Sequence, residues 1–292
     1  MLNAHGGIEC DLTVARVAED EYYIVTGTGF ATHDFNWIER NIPADCNAQL
    51  FDITSSNAVL SLMGPNARKI LQKVTRDDVS NEAIGFGKIK TIGIGGCPVY
   101  ALRVTYVGEL GWELHLPVEY ATTVYSLLRR AGEEFDMRLA GYRAIESLRL
   151  EKGYRAWGSD IGPDHTPFEA GLGWAVKLAK NVDFLGREAM LAQKAGGVKK
   201  MMACFTVDDP EIILLGRETI YRDGERVGWL SSGGYGYTIG KSIGYGYVRH
   251  SETIDRSFVL QGEYELEVAT QRVPANIHMQ PLYDPKMLKV KC

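Results

Sequence analysis

The sequence lacks the features of membrane, secreted and nucleic-acid-binding proteins. No apolar run approaches the ~20 residues that a membrane-spanning helix needs. Its five cysteines are scattered and never form a CxxC pair, which argues against a disulfide scaffold and favours a reducing compartment. The six histidines stand far apart, so no local zinc motif is present. The formal net charge is −5 and no basic run exceeds two residues, which argues against a nucleic-acid partner.

The sequence also lacks a complete dinucleotide-binding motif. The run Gly93-Ile94-Gly95-Gly96-Cys97-Pro98 begins like the glycine-rich fingerprint, but Pro98 occupies the position of its last glycine and no helix pattern follows. The glycine-rich stretch at residues 233–246 opens no helix either. A Rossmann-type nucleotide site within this chain is therefore excluded.

Length and composition are those of an ordinary globular protein. The 292 residues are 45% hydrophobic and 24% charged, enough for one large domain or for two of about 150 residues each. The pair Gly196-Gly197 is a candidate boundary, and the sequence after Met202 is rich in glycine and short strand patterns, as is typical of a small β-barrel. The predicted domains are residues 1–197 and residues 198–292.

The order of hydrophobic patterns predicts an α+β fold with antiparallel sheets and helices on one face. Residues 8–14 and 22–26 alternate between apolar and polar, which is typical of two strands joined as a hairpin. Further predicted strands cover residues 48–63 and 88–116, and predicted helices cover residues 34–41, 66–74, 119–135, 142–152 and 189–194.

Asp11 lies inside the first predicted strand, where an aspartate is disfavoured by propensity. In one interpretation it belongs to a solvated strand face together with Glu9 and Thr13. In the other it projects from a rigid sheet into a pocket, where it could hold or accept a proton or stabilise a cationic intermediate. The residues alone leave both interpretations open.

Glu151 lies in the last turn of a predicted helix, where the helix dipole disfavours a carboxylate. One interpretation is that Arg149 and Lys152 compensate its charge by pairing with it. The other is that its two oxygens accept the neighbouring N–H donors of a planar heterocycle such as a pterin. Propensity does not choose between them.

Seven short runs along the chain, taken in order, resemble the aminomethyltransferase family, which includes the glycine cleavage T-protein. No single run is specific, but the ordered set covers nearly the whole chain. The runs are residues 3–12, 63–67, 106–113, 147–153, 166–171, 184–189 and 227–233.

Residues 9–14, 108–114 and 151–158 look most like the folate half of sarcosine and dimethylglycine dehydrogenases. The resemblance implies that an N-terminal FAD domain oxidises an N-methyl amine. The C-terminal half then traps the released iminium or formaldehyde on tetrahydrofolate, as the 5,10-methylene derivative. The T-protein usually has Asp where this chain has Cys10 and Asn where it has Gly27, so both departures favour the dehydrogenase branch.

The resemblance also implies roles for five residues. Asp11 matches the catalytic aspartate beside the folate nitrogens that receive the carbon, and Glu151 matches the glutamate that binds the pterin ring. Tyr106, Tyr142 and Lys180 are weaker candidates for lining the pocket or contacting folate. No metal ligand is implied. The resemblance thus predicts that two acidic side chains converge on opposite ends of one reduced pterin.

Tetrahydrofolate is the cofactor that the resemblance implies for this chain, and a small one-carbon donor is the other ligand. FAD would belong to a domain or subunit outside this chain, and the family carries a further segment before the position of Met1, so the first domain is expected to be N-terminally truncated. The expected location is the mitochondrial matrix or a bacterial cytoplasm, without membrane attachment.

Two alternatives have different requirements. A free-standing aminomethyltransferase of the glycine cleavage type would take its aminomethyl group from a lipoyl carrier protein and would need a docking surface for it. A non-catalytic folate-binding or regulatory subunit would keep the fold without turnover.

We predict that the purified chain does not oxidise sarcosine by itself, because it carries no dinucleotide motif. The measurement is the absorbance spectrum of the purified protein together with an assay of sarcosine oxidation. A stoichiometric flavin spectrum would contradict the prediction.

Overall fold

The computed structural model describes residues 1–292 and divides into two compact units. We name Met1–Asp11 with Gly141–Pro285 the barrel unit, and Leu12–Ala140 with Lys286–Cys292 the sheet unit. None of the helices combines the length and the apolar character required to cross a membrane.

The chain forms twelve strands and seven α-helices. The strands are β1 (Thr13–Arg16), β2 (Tyr22–Val25), β3 (Asn57–Met63), β4 (Ile89–Ile94), β5 (Cys97–Leu102), β6 (Gly111–Pro117), β7 (Val198–Val207), β8 (Thr219–Arg222), β9 (Glu225–Gly236), β10 (Lys241–Ile254), β11 (Tyr264–Val268) and β12 (Gln271–His278). The helices are α1 (Ala31–Arg40), α2 (Ala67–Val74), α3 (Ala121–Gly132), α4 (Tyr142–Lys152), α5 (Arg187–Gly196), α6 (Arg256–Leu260) and α7 (Leu288–Lys291).

The sheet unit contains a four-stranded antiparallel sheet in the order β3-β6-β5-β4 and a separate ribbon of β1 and β2. One face of the sheet packs with α2 and α3 around Trp112, which is fully buried. Burial of a large apolar side chain of this kind contributes about 1.5–3 kcal/mol. On β6 the core residues Trp112, Leu114 and Leu116 alternate with Glu113 and His115, which therefore lie on the second face of the sheet.

The barrel unit contains a closed six-stranded barrel in the order β10-β7-β12-β11-β8-β9. All of its strand pairs are antiparallel, and its interior is filled by apolar side chains that include Phe205, Leu230 and Leu266. A closed barrel leaves no unpaired sheet edge. The expected α+β class and the expected C-terminal barrel are both confirmed.

The prediction of a strand over residues 8–14 is wrong for most of that segment, because β1 begins only at Thr13. The backbone N–H of Ile8 donates to the carbonyl of His165, and that of Glu9 donates to the carbonyl of Met1. These N–H groups are thus used in a folded-back N-terminal segment, and Asp11 precedes the strand instead of lying inside it.

The predicted strand pair over residues 48–63 is also wrong in its first half, because only β3 forms there. The side chain of Asp52 accepts a hydrogen bond from the backbone N–H of Thr54 at 2.9 Å, and a 3₁₀ turn follows at Thr54–Ser56. An aspartate that bonds the backbone two residues further on favours a turn over a strand.

The division into compact units does not follow the predicted boundary at residue 197, because α4 packs against β9 and β10 of the barrel. The C-terminal half of α4 is largely buried, including Leu150, which belongs to an apolar cluster with Ile243 and Tyr245 of β10. The domains at residues 1–197 and 198–292 remain a prediction about the family segments.

Candidate functional site

Helix α4 fixes the position of Glu151. The helix runs over Tyr142–Lys152, as its pattern predicts, and ends at Gly153 in the left-handed conformation at φ +73°. A Cβ at Gly153 would also lie 3.0 Å from the Tyr245 hydroxyl, so both conformation and space favour glycine at this cap. With Leu150 in the core beside it, the side chain of Glu151 is only 1% exposed.

The carboxylate of Glu151 is held by backbone N–H groups of the loop that joins β9 to β10. Its Oε1 atom accepts hydrogen bonds from the N–H of Thr238 at 2.6 Å and from the N–H of Ile239 at 3.1 Å. Hydrogen bonds from N–H donors to a carboxylate oxygen are charge-assisted and are stronger than neutral ones. They take the place of the water that burial removes.

The cations next to Glu151 in sequence pair with other groups. Arg149 contacts Asp160 and Glu146, and Lys152 contacts the carboxylate of Asp284 at 3.0 Å. The interpretation in which Arg149 and Lys152 compensate the charge of Glu151 is therefore wrong. The charge of a deeply buried carboxylate is left without a counter-cation, a costly arrangement unless further donors reach it.

Oε2 of Glu151 accepts no hydrogen bond from the protein, whereas Oε1 already accepts two. Because each carboxylate oxygen has about two acceptor positions, Oε1 has no capacity left for a ligand. The predicted pairing through both oxygens is thus blocked while the loop contacts persist. Oε2 is the oxygen of Glu151 that has acceptor positions left.

Asp160 is a fully buried carboxylate that the sequence analysis did not single out. Its Oδ2 accepts from Arg149 at 2.5 Å and from the backbone N–H of Ala156 at 3.0 Å. Its Oδ1 accepts from the hydroxyls of Ser231 at 2.5 Å and Ser232 at 2.7 Å. Every acceptor position is used, so this carboxylate serves to lock α4 onto strand β9.

Asp11 ends an anchored N-terminal segment. The ammonium group of Met1 donates to the carbonyl of Cys10 at 2.7 Å, and the indole N–H of Trp157 donates to the carbonyl of Ile8 at 2.9 Å. The side chain of Asp11 itself is exposed. The segment therefore presents an exposed carboxylate on a backbone that is fixed to the barrel unit.

The turn before this segment requires glycine at position 7. A Cβ there would lie 1.7 Å from the carbonyl oxygen of Pro163, and because this is a backbone atom, no change of rotamer would relieve the overlap. The side-chain oxygen of Asn3 accepts from the N–H groups of His5 at 3.0 Å and Gly7 at 2.9 Å. This turn is thus a rigid support for the residues that lead to Asp11.

The three weaker candidates for folate contacts differ in their exposure and in their place in the fold. Tyr106 is half-buried in the loop between β5 and β6 of the sheet unit. Tyr142 is the first residue of α4 and is 90% exposed, and Lys180 is exposed in the loop before α5. The structure does not bring Tyr142 or Lys180 into a hydrogen bond with Glu151, and their roles stay predictions.

Two cavities in the barrel unit are lined by residues other than the predicted site residues. One of about 30 Å³ is lined by Arg155, Cys204 and Tyr245 among others, and a wider groove of about 860 Å³ lies along β11 and β12. Neither contains Asp11 or Glu151 in its lining. Burial raises the pKa of the Cys204 thiol to about 12, so this thiol is not a nucleophile at neutral pH.

The sheet unit has a cavity of about 400 Å³ on the face of the sheet opposite its core. Apolar side chains such as Phe35, Ile38 and Phe51 line most of it. This volume falls in the range typical of small-molecule pockets.

The polar side chains in the wall of this cavity include those of Tyr23, Asp34 and His115. The hydroxyl of Tyr23 is 3.2 Å from Nδ1 of the buried His115, and burial raises the pKa of Tyr23. The buried carboxylate of Asp34 accepts a hydrogen bond from the hydroxyl of Thr26. The sequence analysis missed all three, although the alternation of Glu113 and His115 with core residues on β6 was a signal that this face is occupied.

Two family models match the chain. The model described as GCVT N-terminal domain matches residues 1–180. The model described as Glycine cleavage T-protein C-terminal barrel domain matches residues 200–284, which include nearly all of the six barrel strands.

Three known proteins give the scale of the similarity. The mitochondrial sarcosine dehydrogenase of Mus musculus is 39% identical over 307 residues, and the match covers 100% of this chain and 33% of the relative. The mitochondrial dimethylglycine dehydrogenase of Mus musculus is 38% identical over 283 residues, covering 97% and 32%. The crystal structure of the glycine cleavage system aminomethyltransferase T from Bartonella henselae superposes with a TM-score of 0.84 at 25% identity, covering 98% of this chain and 75% of that one.

The chain spans about a third of the length of the two dehydrogenases that it matches. The sequence similarity to the dehydrogenases concerns only that third of their length. The crystal structure of aminomethyltransferase T has the same fold as this chain.

We predict that Asp160→Asn lowers the free energy of unfolding by about 3–5 kcal/mol, because it removes the buried carboxylate partner of Arg149 and leaves this guanidinium only the partly exposed Glu146. The measurement is urea denaturation followed by circular dichroism. Asp136→Asn is the matched control, since Asp136 pairs with Arg138 on the surface and an asparagine tolerates its positive φ. Equal stability of both variants would contradict the role given to Asp160.

Proposed function

Because the chain belongs to the glycine cleavage T-protein family, we propose that it is the tetrahydrofolate-binding, one-carbon-transfer part of a dimethylglycine or sarcosine dehydrogenase-type flavoprotein. The matches to both family models and the full-length similarity to one portion of those dehydrogenases support the proposal. Oxidation of the amine, and with it FAD, is assigned to a part of the flavoprotein outside this chain.

The observation that carries the proposal is the burial of Glu151 together with its incomplete set of hydrogen-bond donors. A carboxylate that is 1% exposed has no counter-cation and has one oxygen without a donor. The amidine-like edge of a pterin offers the N–H donors that this oxygen lacks. The residues present thus fit a reduced folate, with Glu151 as the group that holds the pterin edge.

Tetrahydrofolate, when bound, supplies the nucleophilic nitrogen that takes up the one-carbon unit. Glu151 would fix the orientation of the ring through Oε2, and orientation of bound reactants is a major source of rate. Asp11 would hold or move a proton at the receiving nitrogen, and its negative charge would stabilise positive charge on the one-carbon donor. Tyr106, Tyr142 and Lys180 are retained as weaker candidates for contacts with folate.

The two alternatives make different demands on Asp11. A free-standing aminomethyltransferase would use the same carboxylate with a lipoyl-bound donor, whereas a regulatory subunit would bind folate without using it. The structural similarity to aminomethyltransferase T supports a common fold for the two proteins. It does not favour either alternative over the proposal.

We predict that Glu151→Gln weakens tetrahydrofolate binding about ten- to a hundredfold, because the variant replaces a charge-assisted hydrogen bond by a neutral one. The measurement is isothermal titration calorimetry of the 292-residue chain. Glu225→Gln is the control, since Glu225 is an exposed glutamate at the start of β9 in the same unit. Equal affinity of both variants and the unmodified chain would remove Glu151 from the site.

For Asp11→Asn we expect folate affinity to stay within about twofold, while the rate of one-carbon transfer falls by about 10²–10⁴, as is typical for loss of a positioned acid or base. The assay follows methylenetetrahydrofolate formation from formaldehyde and tetrahydrofolate above the uncatalysed rate. Absence of measurable transfer both before and after the substitution would support the regulatory alternative and contradict an enzymatic role.

A further inference from the structure

The loop that joins β9 to β10, residues 237–240, rests on one face of α4. We name it the hairpin loop. The hydroxyl of Ser147 donates to the carbonyl of Tyr235 at 2.5 Å, and Oε1 of Glu151 accepts from the N–H groups of Thr238 and Ile239. Ser147 and Glu151 are four residues apart and therefore share this face of the helix.

The approach of the hairpin loop to Glu151 depends on Gly236. A Cβ at this position would lie 3.0 Å from both Cγ and Oε1 of Glu151 and 2.5 Å from Cδ1 of Ile243. The N–H of Gly240 closes the loop by donating to the carbonyl of Gly236 at 2.7 Å. The carboxylate and the loop therefore fit together only with a residue that lacks a side chain at position 236.

The outer side of the hairpin loop is exposed, whereas Ile239 packs against an apolar cluster of the barrel unit. Tyr237 is 80% exposed, and its ring packs edge-on against Tyr235 at a centroid distance of 5.2 Å. The N–H groups of Thr238 and Ile239 have Glu151 as their acceptor. The order of this loop thus depends on the Glu151 carboxylate together with the packing of Ile239.

We propose that Ser147 and the hairpin loop are the positioning group of Glu151, and that a reduced folate bound at Oε2 stabilises the loop. The inference rests on the proposed function of Glu151. Ser147 holds the end of β9, the loop amides fix Oε1, and Oε2 is thereby presented in one orientation. A ligand that binds this orientation lowers the population of other side-chain rotamers, and by thermodynamic linkage it stabilises the loop contacts that require the same orientation.

The test is amide hydrogen exchange of the 292-residue chain with and without tetrahydrofolate, read at Thr238 and Ile239, together with calorimetric affinity. We expect tetrahydrofolate to slow exchange at these two amides at least threefold. Ser147→Ala is expected to weaken binding about three- to tenfold, as for the loss of one hydrogen bond, and to speed exchange at both amides. Ser147→Thr restores a hydroxyl and is expected to recover most of the affinity.

Ser251→Ala is the matched control, because Ser251 is an exposed serine on β10. If tetrahydrofolate binds but leaves exchange at Thr238 and Ile239 unchanged, and Ser147→Ala binds as the control does, the positioning role is overturned while the proposed function stands. If the unmodified chain does not bind tetrahydrofolate, the proposed function falls and this inference falls with it.

Discussion

The carboxylate of Glu151 is buried without a cation, and much of the barrel unit is arranged around that constraint. Removal of a charged group from water costs several kcal/mol unless donors replace the water. Here the backbone of one hairpin provides two donors, α4 provides the position, and Gly236 provides the space. Asp160 in turn pairs with Arg149, so that this cation of α4 is committed to locking the helix onto β9. Oε2 is left without a donor from the protein.

The parts of the fold that the sequence predicts well are those that local chemistry determines. The limits of α4 follow from its pattern and from Gly153, whose left-handed conformation ends the helix. The barrel follows from the glycine-rich strand patterns after Met202, and many of these glycines lie inside β9 and β10 rather than between strands. The expectation for residues 8–12 fails because their N–H groups bond to partners elsewhere, such as His165, about 157 residues away, and alternation carries no information about such partners.

The same limit applies to the site. Glu151 could be selected because a carboxylate in the last helical turn contradicts the helix dipole. The loop amides that hold it, and the serines that hold Asp160, are 70 or more residues away in sequence, so only the fold brings them together. The sequence therefore predicts an unusual residue but not the reason that it is tolerated. The interpretation in which both carboxylate oxygens accept donors of a ligand overlooks this loop, since Oε1 already accepts from Thr238 and Ile239.

In the proposed folate site Glu151 and Asp11 are the two ends, and the most direct measurement is a crystal structure of the chain with the stable reduced analogue 5-formyltetrahydrofolate. The account predicts pterin N–H groups within hydrogen-bond distance of Oε2 of Glu151, with the loop amides still on Oε1 and the carboxylate of Asp11 near the reacting nitrogens. A pterin bound elsewhere, with Glu151 out of contact and Asp11 facing only solvent, would contradict it.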